Sequence, residues 1–282
     1  MEVTLPGEGS VRAEFGAHAP RGLVAALLAQ TRRQPDTWIG RRISFLLRRI
    51  AIRRLGGRPL DVETLGAPMR LYPYDNVCER RILFTPQYFD QEELAVLKER
   101  MRPGFVFVDV GANVGAYALA VAAMAGPGAR ILAIEPQPDI FERLTFNARQ
   151  AACPTVKAIA CAIGDADGMV TLFVSTNNRG ESSVKTVRGL GEGSSLRVPA
   201  RTLHGLLRDE GITAIDAAKL DTEGAEDLIL ESFLRDAPES LLPSLLIIDR
   251  GEARWHADVQ RLLIDHGYAL VLETRTNRIY QR

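Results

Sequence analysis

The densest chemistry in the chain sits in four short segments, each at the end of an apolar run. The first is Val108-Asp109-Val110-Gly111-Ala112-Asn113-Val114-Gly115. Glycines at such a turn let the backbone approach a ligand closely, and the N–H groups of a following helix can meet a negative group. A dinucleotide fingerprint reads G-x-G-x-x-G, but here Asn113 and Ala116 hold the second and third glycine positions. The observed spacing is acid-x-Gly-x-x-x-Gly, opening with Asp109. The second segment is Glu135-Pro136, with Glu135 24 residues after Gly111. A carboxylate at such a strand end accepts both hydroxyls of an adenosine ribose. NAD sites use the same device, so Glu135 points to an adenosine cofactor without choosing which. The third segment, Ala160-Cys161-Ala162-Ile163-Gly164-Asp165, offers an apolar wall with a polar rim for adenine. The fourth, Lys219-Leu220-Asp221-Thr222-Glu223-Gly224-Ala225-Glu226, crowds ionisable groups at another strand end. Lys219 lies inside an apolar run, where an unpaired charge is costly, so pairing with Asp221 or Glu223 is expected. Glu223 and Glu226 also suit the first turn of a helix for purely structural reasons.

These segments need elements to bring them together, and the periodicity supplies them. Strand-like runs at Phe105–Val110, Arg130–Ile134, Thr155–Ala160, Ile215–Leu220 and Ser244–Ile248 alternate with helical patterns at Ala116–Met124, Pro138–Gln150, Ala225–Leu234 and Ala257–His266. Such alternation implies a parallel sheet covered on both faces. Met169–Ser175 alternates like a solvent-facing strand, and Leu196–Ala200 and Leu203–Glu210 read as a strand and a helix. Tyr268–Glu273 and Arg278–Tyr280 flank a polar turn and form a closing hairpin. Residues 1–60 are a basic helical extension and residues 61–282 the main domain, whose first part, 61–104, is a transition segment. Residues 176–195, rich in Gly, Ser and Asn, form either a substrate loop or an insertion.

Composition narrows the function classes. Lys+Arg and Asp+Glu are both 35, a balance that disfavours a protein built mainly to grip nucleic-acid backbone. Cys78, Cys153 and Cys161 form no C-x-x-C pair, so no zinc site or disulfide framework is expected and the thiols read as small core side chains. No metal-ligand cluster is evident. The first twenty residues lack the apolar segment of a signal peptide. Tyr117–Ala125 falls short of the roughly 20 residues that span a bilayer, and the chain reads as a soluble cytoplasmic protein. Residues 31–58 carry nine arginines and one acid, Asp36. Within them Ile39, Ile43, Leu46, Leu47 and Ile50 fall opposite a basic face, a basic amphipathic helix. The reading is a cap helix whose apolar stripe packs on the main domain; the other is a membrane-surface or acidic-partner contact through residues 31–58.

The order V-D-V-G-A-N-V-G, I-E-P, A-I-G-D and K-L-D-T-E-G-A-E resembles the FkbM-type S-adenosylmethionine (SAM)-dependent methyltransferases. The last element is the most diagnostic, and the resemblance spans about residues 70–273, including Asn76, Glu79 and Tyr88. It implies the class I methyltransferase fold: α/β, doubly wound, with a mostly parallel seven-stranded, Rossmann-like sheet whose last strand is antiparallel. It implies SAM as cofactor, O-methyl transfer to a hydroxyl of a small molecule or glycan, and cofactor roles for Asp109, Gly111, Asn113, Gly115, Glu135 and Asp221. Pro136, Ala162 and Ile163 join them by position. One departure bears on substrate class: the family often has Glu after the fifth strand, where this chain has Asp249-Arg250.

Methyl transfer to an alcohol needs the oxygen in line with the methyl carbon, roughly 3–3.5 Å away, and a base for its proton. Asp221, Glu223 and Asp249 are the candidate catalytic groups, with an acid, Glu223 or Asp249, preferred as base. His256 is a further candidate on the acceptor side, since histidine titrates near neutrality. Asn177, Asn178 and Arg179 are candidate acceptor contacts in the 176–195 loop. The alternatives are a nucleic-acid methyltransferase, an NAD(P)-dependent oxidoreductase, and a non-catalytic SAM-fold interaction module.

Overall fold

A computed structural model describes residues 13–151, 155–174, 182–183 and 194–282. Two helices come first, α1 (Gly22–Arg33) and α2 (Trp38–Leu55). Pro35 and the Thr37 cap separate them; the Thr37 hydroxyl accepts the Gly40 N–H at 3.1 Å, satisfying an otherwise orphaned helix donor. A hairpin, β1 (Leu60–Thr64) and β2 (Ala67–Leu71), follows. Next come α3 (Val77–Phe84) and α4 (Gln91–Glu99).

The alternating region then runs β3 (Val106–Val110), α5 (Ala116–Ala125), β4 (Arg130–Ile134), α6 (Pro138–Gln150) and β5 (Val156–Ile159). After an excursion through β6 (Ala162–Gly164), β7 (Gly168–Val174), β8 (Ser182–Ser183), β9 (Ser194–Thr202) and α7 (Leu203–Asp209), the pattern resumes. It ends with β10 (Ala217–Leu220), α8 (Glu226–Asp236), β11 (Leu245–Asp249), α9 (Val259–Asp265), β12 (Ala269–Glu273) and β13 (Asn277–Gln281).

The main sheet has the order β12-β13-β11-β10-β3-β4-β5. β3, β4, β5, β10 and β11 are parallel. The final strand, β13, enters between β11 and β12 and is antiparallel to both. This is the doubly wound, mostly parallel seven-stranded sheet that the resemblance implies. Side chains alternate across it, as the pleat requires. Phe107 joins a core with α5 and β1–β2, while Val108 and Val110 join a second core with α7 and α8. Chain order reverses beside β3, so the carboxyl ends of β3 and β10 flank the crevice where open α/β sheets bind ligands.

Two features differ from the sequence reading. The strands between residues 162 and 202 form a separate four-stranded sheet, β6-β9-β7-β8. It closes a small core of its own around Leu172, Val174 and Val198. The second difference is a correction. The apolar stripe of α2 does not pack on the domain: Ile39, Ile43, Leu46 and Ile50 are exposed. The face turned inward is Gly40, Ser44, Ala51 and Leu55, with Leu47 half-buried. Small side chains let the two helices approach closely, and the Ser44 hydroxyl reaches the Thr31 carbonyl at 3.4 Å.

Candidate functional site

The glycine turn after β3 is built by close backbone contact. Gly111 has φ +81°, and a Cβ there would lie 1.9 Å from the Asp221 carbonyl oxygen. The Gly111 and Ala112 N–H groups both donate to the Ile134 carbonyl at the end of β4, at 3.0 and 2.9 Å. Three strand ends are thereby drawn together. Gly115, at φ +92°, would place a Cβ 2.9 Å from Leu144, so it serves helix packing and does not line the cavity. Asn113 occupies the left-handed region at φ +51°, which asparagine tolerates. Its side-chain oxygen accepts the Asn76 amide at 2.8 Å and the Val114 N–H at 2.9 Å.

A cavity of about 230 Å³ crosses the carboxyl ends of the central strands. On the β4 side it is lined by Asp109, Gly111, Asn113, Glu135 and Pro136, with Ala162 and Ile163 as an apolar wall. Asp109 is 1% exposed. Its Oδ2 accepts the Ala118 N–H at 3.1 Å, while Oδ1, equally buried, has no hydrogen-bond partner. Burial pushes this carboxyl up to about 6, against the downward pull of Lys219. Glu135 accepts the Gln137 and Asn113 N–H groups, one on each oxygen, both at 2.9 Å. Burial pushes it up to about 7, and the two N–H groups hold it from rising further.

The other side of the cavity is a chain of charges. Lys219 stands beside Asp109 across the β10–β3 pair. Its Nζ lies 2.7 Å from Asp221 and 4.8 Å from the centre of the Tyr117 ring. Burial lowers its proton affinity, but Asp221 and Asp109 more than reverse this and raise it above the usual lysine value. The Tyr117 hydroxyl donates to Asp90 at 2.9 Å, and Arg81 meets the other Asp90 oxygen at 2.8 Å. Phe89, Asp90, Thr276 and Asn277 complete this wall.

The three candidate acids all line the cavity but differ in state. Asp221 is tied to Lys219. Glu223, at φ +55°, is paired with Arg254 at 2.6 Å. Asp249 reaches the same guanidinium only at 3.3 Å. Burial, with the charges of Asp221 and Glu223, pushes the Asp249 carboxyl up to about 7. That places its proton exchange near neutrality. His256 is exposed and outside the lining, with its N–H held by Asp227 at 2.7 Å. Asn177, Asn178 and Arg179 lie outside the described residues.

Several contributors were given no place among the candidate site residues by the sequence. Glu226, fully buried, accepts the Thr222 N–H at 2.7 Å and the Trp255 indole N–H at 2.8 Å, fixing the loop that bears Glu223. Arg143 pairs with Glu79 and Asp75 and lies over the Tyr72 ring. This anchors α3, whose capping residue Asn76 braces Asn113. Arg81, Phe89, Asp90 and Asn277 join the cavity only through the chain's path. Cys78 and Cys161 are free thiols in its wall, pushed by burial up to about 12 and about 11. Cys153 lies outside the described residues.

Comparison with known proteins bears on this geometry. Residues 109–270 match the family described as the methyltransferase FkbM domain. The chain is 27% identical over 241 residues to 31-O-demethyl-FK506 methyltransferase FkbM of Streptomyces tacrolimicus, covering 75% of this chain and 91% of that protein. It is 28% identical over 189 residues to methyltransferase sdnD of Sordaria araneosa, covering 57% and 72% respectively. Among solved structures it is similar to a precorrin-6y C5,15-methyltransferase from Geobacter metallireducens GS-15. That match has a TM-score of 0.42 and 14% identity, and covers 69% of this chain and 90% of that one.

Proposed function

The chain belongs to the FkbM methyltransferase family, and from that premise we propose that it methylates a hydroxyl oxygen of a small molecule or glycan. SAM is the methyl donor of this methyltransferase, and the cavity fits it. The partnerless, buried Oδ1 of Asp109 is an acceptor suited to the donor's ammonium group. Each Glu135 oxygen already accepts one N–H and retains a lone pair for a ribose hydroxyl. Ala162 and Ile163 offer an apolar wall to adenine. Bound there, SAM supplies a methyl group made electrophilic by its sulfonium.

The remaining work belongs to the chain. The observation that carries oxygen as the acceptor is Asp249, a cavity carboxyl raised to about 7. A hydroxyl loses its proton as it attacks, and a base with proton affinity near the working pH takes it best. Asp221 and Glu223 are held by Lys219 and Arg254 at 2.7 and 2.6 Å and act as fixed charges. They raise the proton affinity of Asp249 and orient the loop. Two further points support the reading: the cavity lining extends to Phe89, Asp90 and Asn277 as well as these acids, and the Streptomyces tacrolimicus relative is named for a 31-O position.

The test has two stages. Calorimetric titration with SAM, NAD and NADP expects binding of SAM alone, lost in Glu135→Ala. Incubation with isotopically labelled SAM and pools of alcohols, amines and carboxylic acids expects label only on alcohol oxygen, located by carbon–proton correlation in the product. Label on nitrogen, or NAD binding in place of SAM, overturns the reading.

A further inference from the structure

Helix α2 presents to solvent what a cap helix normally hides. Trp38 is 69% exposed, Ile39 63%, Leu46 59% and Phe45 53%. At 3.6 residues per turn, Ile39, Ile43, Leu46 and Ile50 fall within about 60° of one another on the helix surface. Arg42, Arg49 and Arg53 border that stripe on one side and Arg54 on the other. Residues 37–60 contain no acid. Among the described residues, only Arg41 of the helix's six arginines has a carboxylate partner, Asp36. Arg42 instead lies over the Trp38 ring at 4.4 Å, and Arg48 over Phe45 at 5.0 Å.

We propose that the outer face of α2 docks the protein on an anionic lipid surface. The aliphatic stripe sinks into the boundary between headgroups and acyl chains, and the bordering arginines extend to the headgroup phosphates. An apolar stripe edged by cations complements a bilayer whose apolar interior lies under negative charge. A nucleic acid would satisfy the arginines but leave the four aliphatic side chains in water. Spanning is not at issue, since no described helix is long and apolar enough to cross a membrane. The helix is joined firmly to the domain. Gln87 donates to the Thr31 carbonyl at 2.9 Å and the Tyr88 hydroxyl to the Pro35 carbonyl at 2.8 Å. Docking therefore positions the whole enzyme, with the cavity residues Phe89 and Asp90 directly following that anchor.

The experiment is co-sedimentation of the full chain with vesicles of phosphatidylcholine plus phosphatidylglycerol, and of phosphatidylcholine alone. Binding is expected on the mixed vesicles and to weaken with salt. Each arginine near the surface contributes about a five-fold factor, so Arg42→Gln/Arg49→Gln/Arg53→Gln lowers the partition coefficient on the order of 100-fold. Ile39→Ser/Ile43→Ser/Leu46→Ser abolishes binding. Both triple variants keep the wild-type melting temperature and SAM affinity, because none of these side chains is buried or lines the cavity. The Trp38 emission shifts to shorter wavelength with mixed vesicles, a shift lost in Trp38→Phe. Absence of vesicle binding overturns the proposal, as does binding indifferent to both triple variants. Retention of single-stranded RNA in place of vesicles, abolished by the arginine variant, overturns it in favour of a nucleic-acid surface.

Discussion

Asp249→Asn separates catalysis from stability. With its carboxyl near 7, Asp249 holds a proton below that pH and can accept one only above it. At saturating SAM, kcat/KM for the acceptor should climb tenfold per pH unit to about 7 and then level, with about a tenth of the plateau value at pH 6. Asparagine keeps the shape but accepts no proton, so the plateau should fall by ~10²–10⁴-fold and the rising limb should vanish. Stability should move the other way. The aspartate titrates at an ordinary value of 3.8 in the unfolded chain and near 7 in the folded one. The folded state thus binds the proton more tightly, and stability is lost as pH rises from about 4 to 7, with the full loss above 7. The ceiling on that loss is about 4 kcal/mol. The side chain is 21% exposed and touches Arg254, so a gain of ~1–2 kcal/mol in Asp249→Asn at pH 8 is the expected fraction. At pH 4 the gain should be nearly absent. Denaturant midpoints at the two pH values and a pH–rate profile of both proteins measure this. If the variant stays within tenfold of wild type and keeps its limb near pH 7, Asp249 is not the base. If activity falls without an alkaline stability gain, its raised proton affinity is wrong.

Gly111→Ala should be severely destabilising, by more than ~3 kcal/mol, because the added Cβ meets backbone at a left-handed φ; a urea midpoint near wild type would remove the close approach to Asp221 as the reason for this glycine. Glu135→Gln should fold but bind SAM ~10–100-fold more weakly, since one ribose acceptor becomes a donor that also faces a backbone N–H; unchanged calorimetric affinity would move the ribose elsewhere. Lys219→Met strands Asp109 and Asp221 without their cation and should cost ~3–5 kcal/mol. Stranded carboxylates recover by keeping their protons, so the loss should be larger at pH 8 than at pH 5. Equal losses would mean that packing against Tyr117, not charge, is what Lys219 provides.

That Asp109, Gly111, Asn113 and Glu135 line one cavity was legible because their signals are local. Asp109, Gly111, Asn113 and Glu135 each sit at a strand end, and a strand end in an alternating β–α pattern is readable from periodicity and turn chemistry. Lys219 was legible by elimination: a charge within an apolar strand needs a neighbour, and Asp221 lies two residues on. The wall formed by Arg81, Phe89, Asp90 and Asn277 was not legible, because these residues come from segments without a shared pattern. Arg81, Phe89 and Asp90 belong to the transition before the sheet, and Asn277 is the first residue of β13. Only the insertion of β13 beside β11, which sets Asn277 opposite Asp249, brings the last of these to the site. The four-stranded side sheet escaped for a similar reason. β7 and β9 alternate as strands, but pairing across a long connection is set by tertiary contact rather than by either segment alone.

Helix α2 exposes the limit of periodicity most sharply. An amphipathic pattern names two faces, and the usual inference buries the more apolar one. Here the buried face is Gly40, Ser44, Ala51 and Leu55. The reason is distance: α1 brings Leu27, Leu28 and Thr31 close to α2, and the small side chains of Gly40, Ser44 and Ala51 admit that approach. A Cβ at Gly40 would lie 2.2 Å from the Pro35 carbonyl. The choice of face has a direct thermodynamic consequence. Ala51→Leu and Ser44→Leu should each cost ~1–3 kcal/mol by overpacking the helix pair, although both make the helix more apolar. Ile39→Ser and Leu46→Ser should stay within ~0.5 kcal/mol of wild type, since solvent already meets those side chains. Urea denaturation of the four variants in the absence of lipid decides the matter. If the two outer substitutions cost more than the two inner ones, the helix lies the other way up. The arginine-bordered stripe would then be an internal packing surface with nothing left to offer a bilayer.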